Sequence, residues 1–391
     1  MTSNSTYKPG RHFLQIPGPS NVPDRVLRAM AQPVVDHRGP DFPELTFSVL
    51  KKLAAVFKSS SPVIIFPASG TGGWESALLN TLSPGDKVLA FETGHFATLW
   101  KNVADKLGLD VDFVPGDWRH GIDLNTVEEK LKADSKGEIK AVLAVHTETS
   151  TGINSRIREI RQAIDNVKHP ALFMVDAVSS LACSDFRHDE WGVDVTISAT
   201  QKGLMLPPGL CFNAVSEKAL EAAKSSTAHH SYWRWDEMLS NNARGYFPYT
   251  PGTNLLYGLD EALDMLNEEG LDHVIARHAR HAQATRKAVD GWGLENLCLS
   301  DEYSNSTTAV MMPDGHDADA LRLAILEKFN ISLGMGLGKV KGKVFRIGHI
   351  GDFNDLMLAG TLSGVEMGLA VAGVPHKKGG VQAALDYLSG E

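Results

Sequence analysis

Lys202 lies in "SATQKGLMLPPGL", Ser198 to Leu210, just after a strand-like "VDVTI" and among small, apolar and turn-forming residues. A lysine amine is costly to bury there unless it is neutralised, paired or used chemically. Asp176 closes the apolar run of "LFMVDAVSS", where an ionised carboxylate needs a cation or several donors. Upstream, "VIIFPASG" runs through Ser69, Gly70, Thr71 and Gly72 into the helical pattern "TGGWESALLNTL". That junction presents backbone N–H groups, two hydroxyls and the positive end of a helix dipole to an anion. Each feature also has a plain reading. The lysine can reach solvent, the Asp can cap the "VSS" turn, and the glycines can merely turn the chain.

Taken together the three are more specific. An anion cradle, a strand-end carboxylate and an amine on a turn are the parts needed to hold pyridoxal phosphate. The amine bonds the aldehyde, the carboxylate pairs with the protonated pyridine nitrogen, and the cradle takes the phosphate. Once displaced by an incoming amino acid, the lysine can shuttle the proton at the substrate Cα. Two nucleotide-binding readings fail. Gly70 and Gly72 start a GxGxxG whose third glycine position is Glu75, and Gly338-Lys339 is followed by Val340, not Ser or Thr.

The elements around these residues must hold them in place. Short apolar runs ("KVLAFET", "KAVLAVHTE", "ALFMVDA", "VDVTISAT", "GLCFNAV") alternate with amphipathic helical stretches such as "LNTVEEKLKAD" and "IREIRQAIDNV". This pattern predicts an α/β fold with a mostly parallel sheet covered on both faces. In such sheets ligands bind at strand carboxyl ends, where Asp176 and Lys202 fall. The Pro- and Gly-rich opening, residues 1–23, reads as an extended arm and not a core element. A large domain is expected over 24–270. A long helix from about Leu271 to Gly291 then opens a smaller α+β domain over 271–391.

The composition is that of an ordinary globular protein, with 43% hydrophobic and 22% charged residues among 391. A net charge of −9 argues against general nucleic-acid binding. No basic amphipathic stretch, apolar leader or spanning run points to a membrane or to secretion. Cys183, Cys211 and Cys298 are too scattered for a disulfide framework or a CxxC metal site, so a reducing cytoplasm is expected and no metal.

Further motifs lie along the whole chain in order: "PGPSNVP", "DHRGPDF", "HTETSTGI", "DEWGVDV", "GYFPYTP" and "GKVFRIGHIGD". With "FPASGTGGWESALLNTLSPGDKVL", "HPALFMVDAVSS" and "TQKGLMLPPGL", they resemble the class V aminotransferases of pyridoxal phosphate fold type I. Within these, the chain resembles the serine–glyoxylate and alanine–glyoxylate group. The resemblance implies a seven-stranded, mostly parallel large-domain sheet, a smaller C-terminal domain and a homodimer. It implies that Ser69, Gly70, Thr71 and Gln201 hold the cofactor phosphate and that Phe96 stacks on the ring. Thr149 would bond near the ring hydroxyl, and Thr250 would reach the phosphate in the partner subunit. Arg346 would bind the substrate carboxylate through its two-pronged guanidinium, and the Pro17-Gly18-Pro19 turn would line the substrate pocket.

The implied reaction moves the amino group of a small L-amino acid, serine first, to glyoxylate. Aspartate and alanine are the alternative donors, and pyruvate is the alternative acceptor. Two more distant readings are a lyase or desulfurase-like enzyme, for which Cys298 is the only cysteine past Gly270, and a catalytically silent scaffold. The chain departs from the group's usual residues at Ala177, at Ala199-Thr200, at Cys211 and in "HTETSTG". Arg234 also stands where an acid is common, either favouring a second negative charge on the donor or balancing a neighbouring acid.

Overall fold

The computed structural model describes residues 9–299 and 302–390. The first eight residues of the expected arm lie outside that range. A seven-stranded sheet forms the centre of the chain, in the order Val63–Phe66, Cys211–Val215, Val195–Ala199, Leu172–Asp176, Ile139–Val145, Lys87–Phe91, Asp110–Val114. Only Cys211–Val215 runs against its two neighbours, and the other pairings are parallel. The central strands Leu172–Asp176, Val195–Ala199 and Cys211–Val215 are buried along their whole length. Helices cover both faces, which is why these strands read as continuous apolar runs and do not alternate.

The covering helices follow from their sequences. In Ile157–Asn166 the buried positions are Ile157, Ile160, Ala163 and Ile164, one stripe at helical spacing. Each fully buried branched or aromatic side chain contributes about 1.5–3 kcal/mol. Phe173, Phe212, Ile64 and Ile65, all but inaccessible to solvent, thus make a rigid shelf beneath the strand ends. The helix Gly70–Thr81 packs on strands Val195–Ala199 and Cys211–Val215. A Cβ at Gly73 would come within 2.8 Å of the Ile197 side chain, so glycine permits the close approach.

A second apolar cluster forms around a five-stranded sheet in the order Phe13–Gln15, Ile331–Met335, Val344–Gly348, Thr307–Met311, Glu295–Asn296. Helices Leu271–Trp292, Ala318–Phe329, Asp355–Val371 and Gly380–Ser389 supply the rest of that cluster's fabric. The long helices Thr253–Glu269 and Leu271–Trp292 break at Gly270, whose φ is +84°. One expectation needs correction. The opening segment is not merely an arm, because Phe13–Gln15 adds a parallel edge strand, with Phe13 opposite Ile331 and Gln15 opposite Leu333. Three residues carry no readable periodicity, and their partner lies at the far end of the chain. Among the described residues no helix is long and apolar enough to cross a membrane.

Candidate active site

Lys202 sits where the chain leaves strand Val195–Ala199 and turns back into the antiparallel Cys211–Val215. Thr200 pins the loop. Its hydroxyl donates to Pro207 O at 2.8 Å, and its backbone N–H donates to Leu210 O at 3.1 Å. The opening segment lies across this loop, with Ser20 Oγ donating to Lys202 O at 2.9 Å and Ser20 N–H to Gln201 O at 3.0 Å. The Lys202 amine donates to the Pro17 carbonyl. Gly18, with φ +108°, leaves room for that reach, since a Cβ there would fall on the lysine side chain.

Asp176 ends the neighbouring strand and is 4% exposed. Its Oδ1 accepts the Val178 N–H at 2.7 Å, and its Oδ2 accepts the Trp74 indole N–H at 3.1 Å. Burial pushes its carboxyl up to about 7, against the pull of those donors and of Lys202. Burial first, and Arg346 second, push the Lys202 ammonium down to about 8, with Asp176 opposing. A lysine that is partly neutral near physiological pH is a competent nucleophile toward a carbonyl carbon.

A cavity of about 220 Å³ brings most of the expected residues together. Gly18, Ser69, Gly70, Thr71, Phe96, Thr149, Asp176, Gln201 and Lys202 all line it. Ser69 precedes helix Gly70–Thr81 in an extended conformation, and its side chain makes no capping bond to that helix. The Gln201 side-chain oxygen is buried without a partner. The first N–H groups of a helix lack intrahelical partners, and with no side chain capping this helix its N-terminus suits an anionic group. An amine, a carboxylate and this cradle in one pocket therefore fit pyridoxal phosphate.

Arg346 stands beside the cavity without lining it. Its Nε donates to Met335 O and its Nη1 to Thr149 O, each at 2.8 Å. Burial pushes the guanidinium down to about 10, with Glu148 opposing, so it stays charged at neutral pH. Pro17 packs at Gly334, on the strand that pairs with Arg346, and so sits between lysine and arginine. Thr250 is exposed, 3.5 Å from His37 Nε2, and lies outside the cavity of its own chain. Arg234 is exposed and paired with Asp236 and Glu237, which matches the reading in which it balances neighbouring acids.

Sequence reasoning missed Trp74, Ser179 and Glu148. Trp74 reads as a core aromatic on a helix, and Ser179 as part of a turn, yet both line the cavity. Ser179 is hydrogen-bonded to the Thr149 hydroxyl. Glu148 is fully buried and accepts from Ala97 N–H at 3.0 Å and from Ser150 Oγ at 2.6 Å. It thereby anchors the first turn of helix His95–Lys106, which carries Phe96. A buried acid inside "HTETSTG" was the available signal.

Comparison with known proteins identifies the family. Residues 12–341 match the family described as aminotransferase class-V. A serine–glyoxylate aminotransferase of Arabidopsis thaliana is 48% identical over 386 residues, covering 98% of this chain and 96% of its own. An L-aspartate–glyoxylate aminotransferase of Paracoccus denitrificans is 44% identical over 375 residues, covering 95% of each chain. Among solved structures, a pyridoxamine-pyruvate aminotransferase from Mesorhizobium loti superposes with a TM-score of 0.91 at 30% identity, over 97% of each chain. The chain belongs to the class-V aminotransferases, and with them to the enzymes that work with pyridoxal phosphate.

Proposed function

We propose that the chain transfers the amino group of serine to glyoxylate, giving hydroxypyruvate and glycine. The observation that carries this is the convergence of Lys202, Asp176 and the Ser69–Thr71 cradle in one small cavity with Arg346 beside it. So compact a site suits a two-carbon acceptor and a short donor, and the Arabidopsis relative is named for this pair of substrates. Bound pyridoxal phosphate supplies the carbonyl that exchanges amines and a ring that accepts the electron pair when Cα–H breaks.

The chain's residues do the rest. Ser69, Gly70, Thr71 and Gln201 bind the phosphate, and Phe96 and Thr149 orient the ring. Asp176 holds the proton on the ring nitrogen, because its carboxylate sits in a low-dielectric pocket where a cationic N–H is its best partner. Lys202 would take the proton from the donor Cα and hand it to the cofactor carbon on the other side of the donor nitrogen. Arg346 fixes the donor α-carboxylate, using the guanidinium N–H groups that its two backbone carbonyls leave over. Gly18 and Pro17 hold the floor against which Lys202 moves.

The active unit in this proposal is a cytoplasmic homodimer in which Thr250 of one subunit reaches the phosphate held by its partner. The exposure of Thr250 and its distance from its own cavity support this. The three cysteines are unpaired and buried, in keeping with a reducing compartment.

An aspartate donor is the second reading, favoured by the Paracoccus relative's name. Against it, the positive charge of Arg234 is already balanced by two acids. A desulfurase reading is disfavoured because Cys298 is buried and its thiol is pushed up to about 12. Initial rates with serine, alanine and aspartate at fixed glyoxylate test the assignment. Serine should give the highest kcat/KM, and aspartate outrunning it would replace serine as donor.

A further inference from the structure

Two N–H donors hold the Asp176 carboxylate, and they come from different parts of the chain. The Val178 bond is local and made by backbone, so almost any residue there could provide it. The Trp74 bond spans 102 residues and comes from the helix that begins at the Ser69 cradle. The indole is 3% exposed and cannot tilt freely, because it stacks on Trp100 with ring centroids 5.9 Å apart and an interplanar angle of 15°. It also faces the cavity.

We infer that Trp74 is a positioning residue whose indole N–H orients the Asp176 carboxylate and keeps it ionised to meet the cofactor ring nitrogen. This rests on reading the cavity as the pyridoxal phosphate site. Each carboxylate oxygen has two acceptor positions. With one N–H on Oδ1 and another on Oδ2, the carboxylate is locked in rotation and still keeps a lone pair for the ring.

The charges around it make each of these donors count. Burial pushes Asp176 up to about 7 and Glu148 pushes the same way, while Lys202, Val178 and Trp74 oppose. At neutral pH the carboxyl is therefore poised between its two forms, so losing one donor tips it toward the neutral acid. His146, at the end of the adjacent strand, is pushed down to about 3 by burial and stays uncharged in this range. Lys202, pushed down to about 8, interacts electrostatically with Asp176 but is not bonded to Trp74, so the Trp74 variant leaves its contribution in place.

The structure also supplies a control. Trp100 forms the other half of the stack, but its own indole N–H is buried without a partner. Trp74→Phe removes both stacking area and the bond to Asp176, whereas Trp100→Phe removes stacking area alone.

The test compares full-length holoenzymes of the wild type, Trp74→Phe and Trp100→Phe by how much cofactor survives dialysis between about pH 6 and about pH 9. Retention should rise with pH as Asp176 ionises. In Trp74→Phe the midpoint should move up by about one pH unit, so affinity near neutrality falls about fivefold and recovers at the alkaline end. Trp100→Phe should leave the midpoint in place. Equal weakening of Trp74→Phe at every pH, or the same shift in Trp100→Phe, overturns the inference in favour of simple packing. A wild type that takes up no cofactor overturns the reading of the cavity instead. If Trp74→Phe does not fold, the seven indole N–H resonances of isotope-labelled wild type decide. One must move with the Asp176 titration and stop moving in Asp176→Asn, and none doing so overturns the inference.

Discussion

Arg346→Lys keeps a positive charge at the carboxylate site and removes the fork. In the structure two of the guanidinium's five N–H groups are committed, one to Met335 O and one to Thr149 O, each at 2.8 Å. The remaining three form the face offered to a substrate carboxylate. A lysine ammonium has only three N–H groups, so it cannot serve both carbonyls and still grip two carboxylate oxygens. One charge-assisted bond is lost, worth about 1.5–3 kcal/mol, or about tenfold to a hundredfold in binding. The burial that pushes the guanidinium down to about 10 would push a lysine lower still, so the effect does not shrink through a stronger charge. Every amino donor carries the same α-carboxylate, so KM for serine, alanine and aspartate should all rise by a similar factor. Steady-state kinetics at saturating glyoxylate read this directly. An unchanged KM would mean that the carboxylate binds elsewhere, and a rise for one donor alone would mean that Arg346 reads the side chain.

Three other outcomes are expected. Lys202→Ala should fold normally and lose turnover, together with the borohydride-trapped covalent bond between chain and cofactor; normal turnover would remove Lys202 from the chemistry. Glu148→Gln keeps one acceptor oxygen but sets an amide NH₂ against either the Ala97 or the Ser150 N–H, which should cost about 2 kcal/mol and lower the thermal midpoint. An unchanged midpoint would show that the buried carboxylate is not what anchors the Phe96 helix. The chain should also lose stability in acid, because burial pushes His146, His278 and His349 down to about 3 from an ordinary value of 6.5. Below that ordinary value the unfolded chain takes up protons that the folded chain refuses, so stability falls as pH falls through the interval between the two. Thermal midpoints from about pH 7 to about pH 5 should therefore decline, and a flat series would mean that these histidines charge in place.

Local chemistry made part of this site readable before any coordinates. A charged residue at or just past the end of an apolar strand invites a chemical reading, and Asp176 and Lys202 both carried that mark. The buried strands were equally legible, since helices on both faces demand unbroken apolar runs. What escaped depends on contacts between distant segments. Phe13–Gln15 is a strand only because Ile331–Leu333 lies beside it. The indole of Trp74 is polar in effect only because Asp176 lies opposite it, and nothing within one helix turn announces that. Arg346 needed the resemblance to a family, because an arginine on a strand is unremarkable until its two backbone carbonyls are seen. Thr250 shows a different limit, since the role proposed for it lies in a second subunit.

The central claim is that this chain carries an amino group on its cofactor between two substrates. The most direct measurement is the half-reaction, in which serine is added to purified holoenzyme without any keto acid and the visible absorption is followed. The bound cofactor should convert to its amine form with one hydroxypyruvate released per site, and glyoxylate should then restore the starting spectrum and yield glycine. An unchanged spectrum with serine, alanine and aspartate alike, or product formed catalytically without glyoxylate, would contradict transamination.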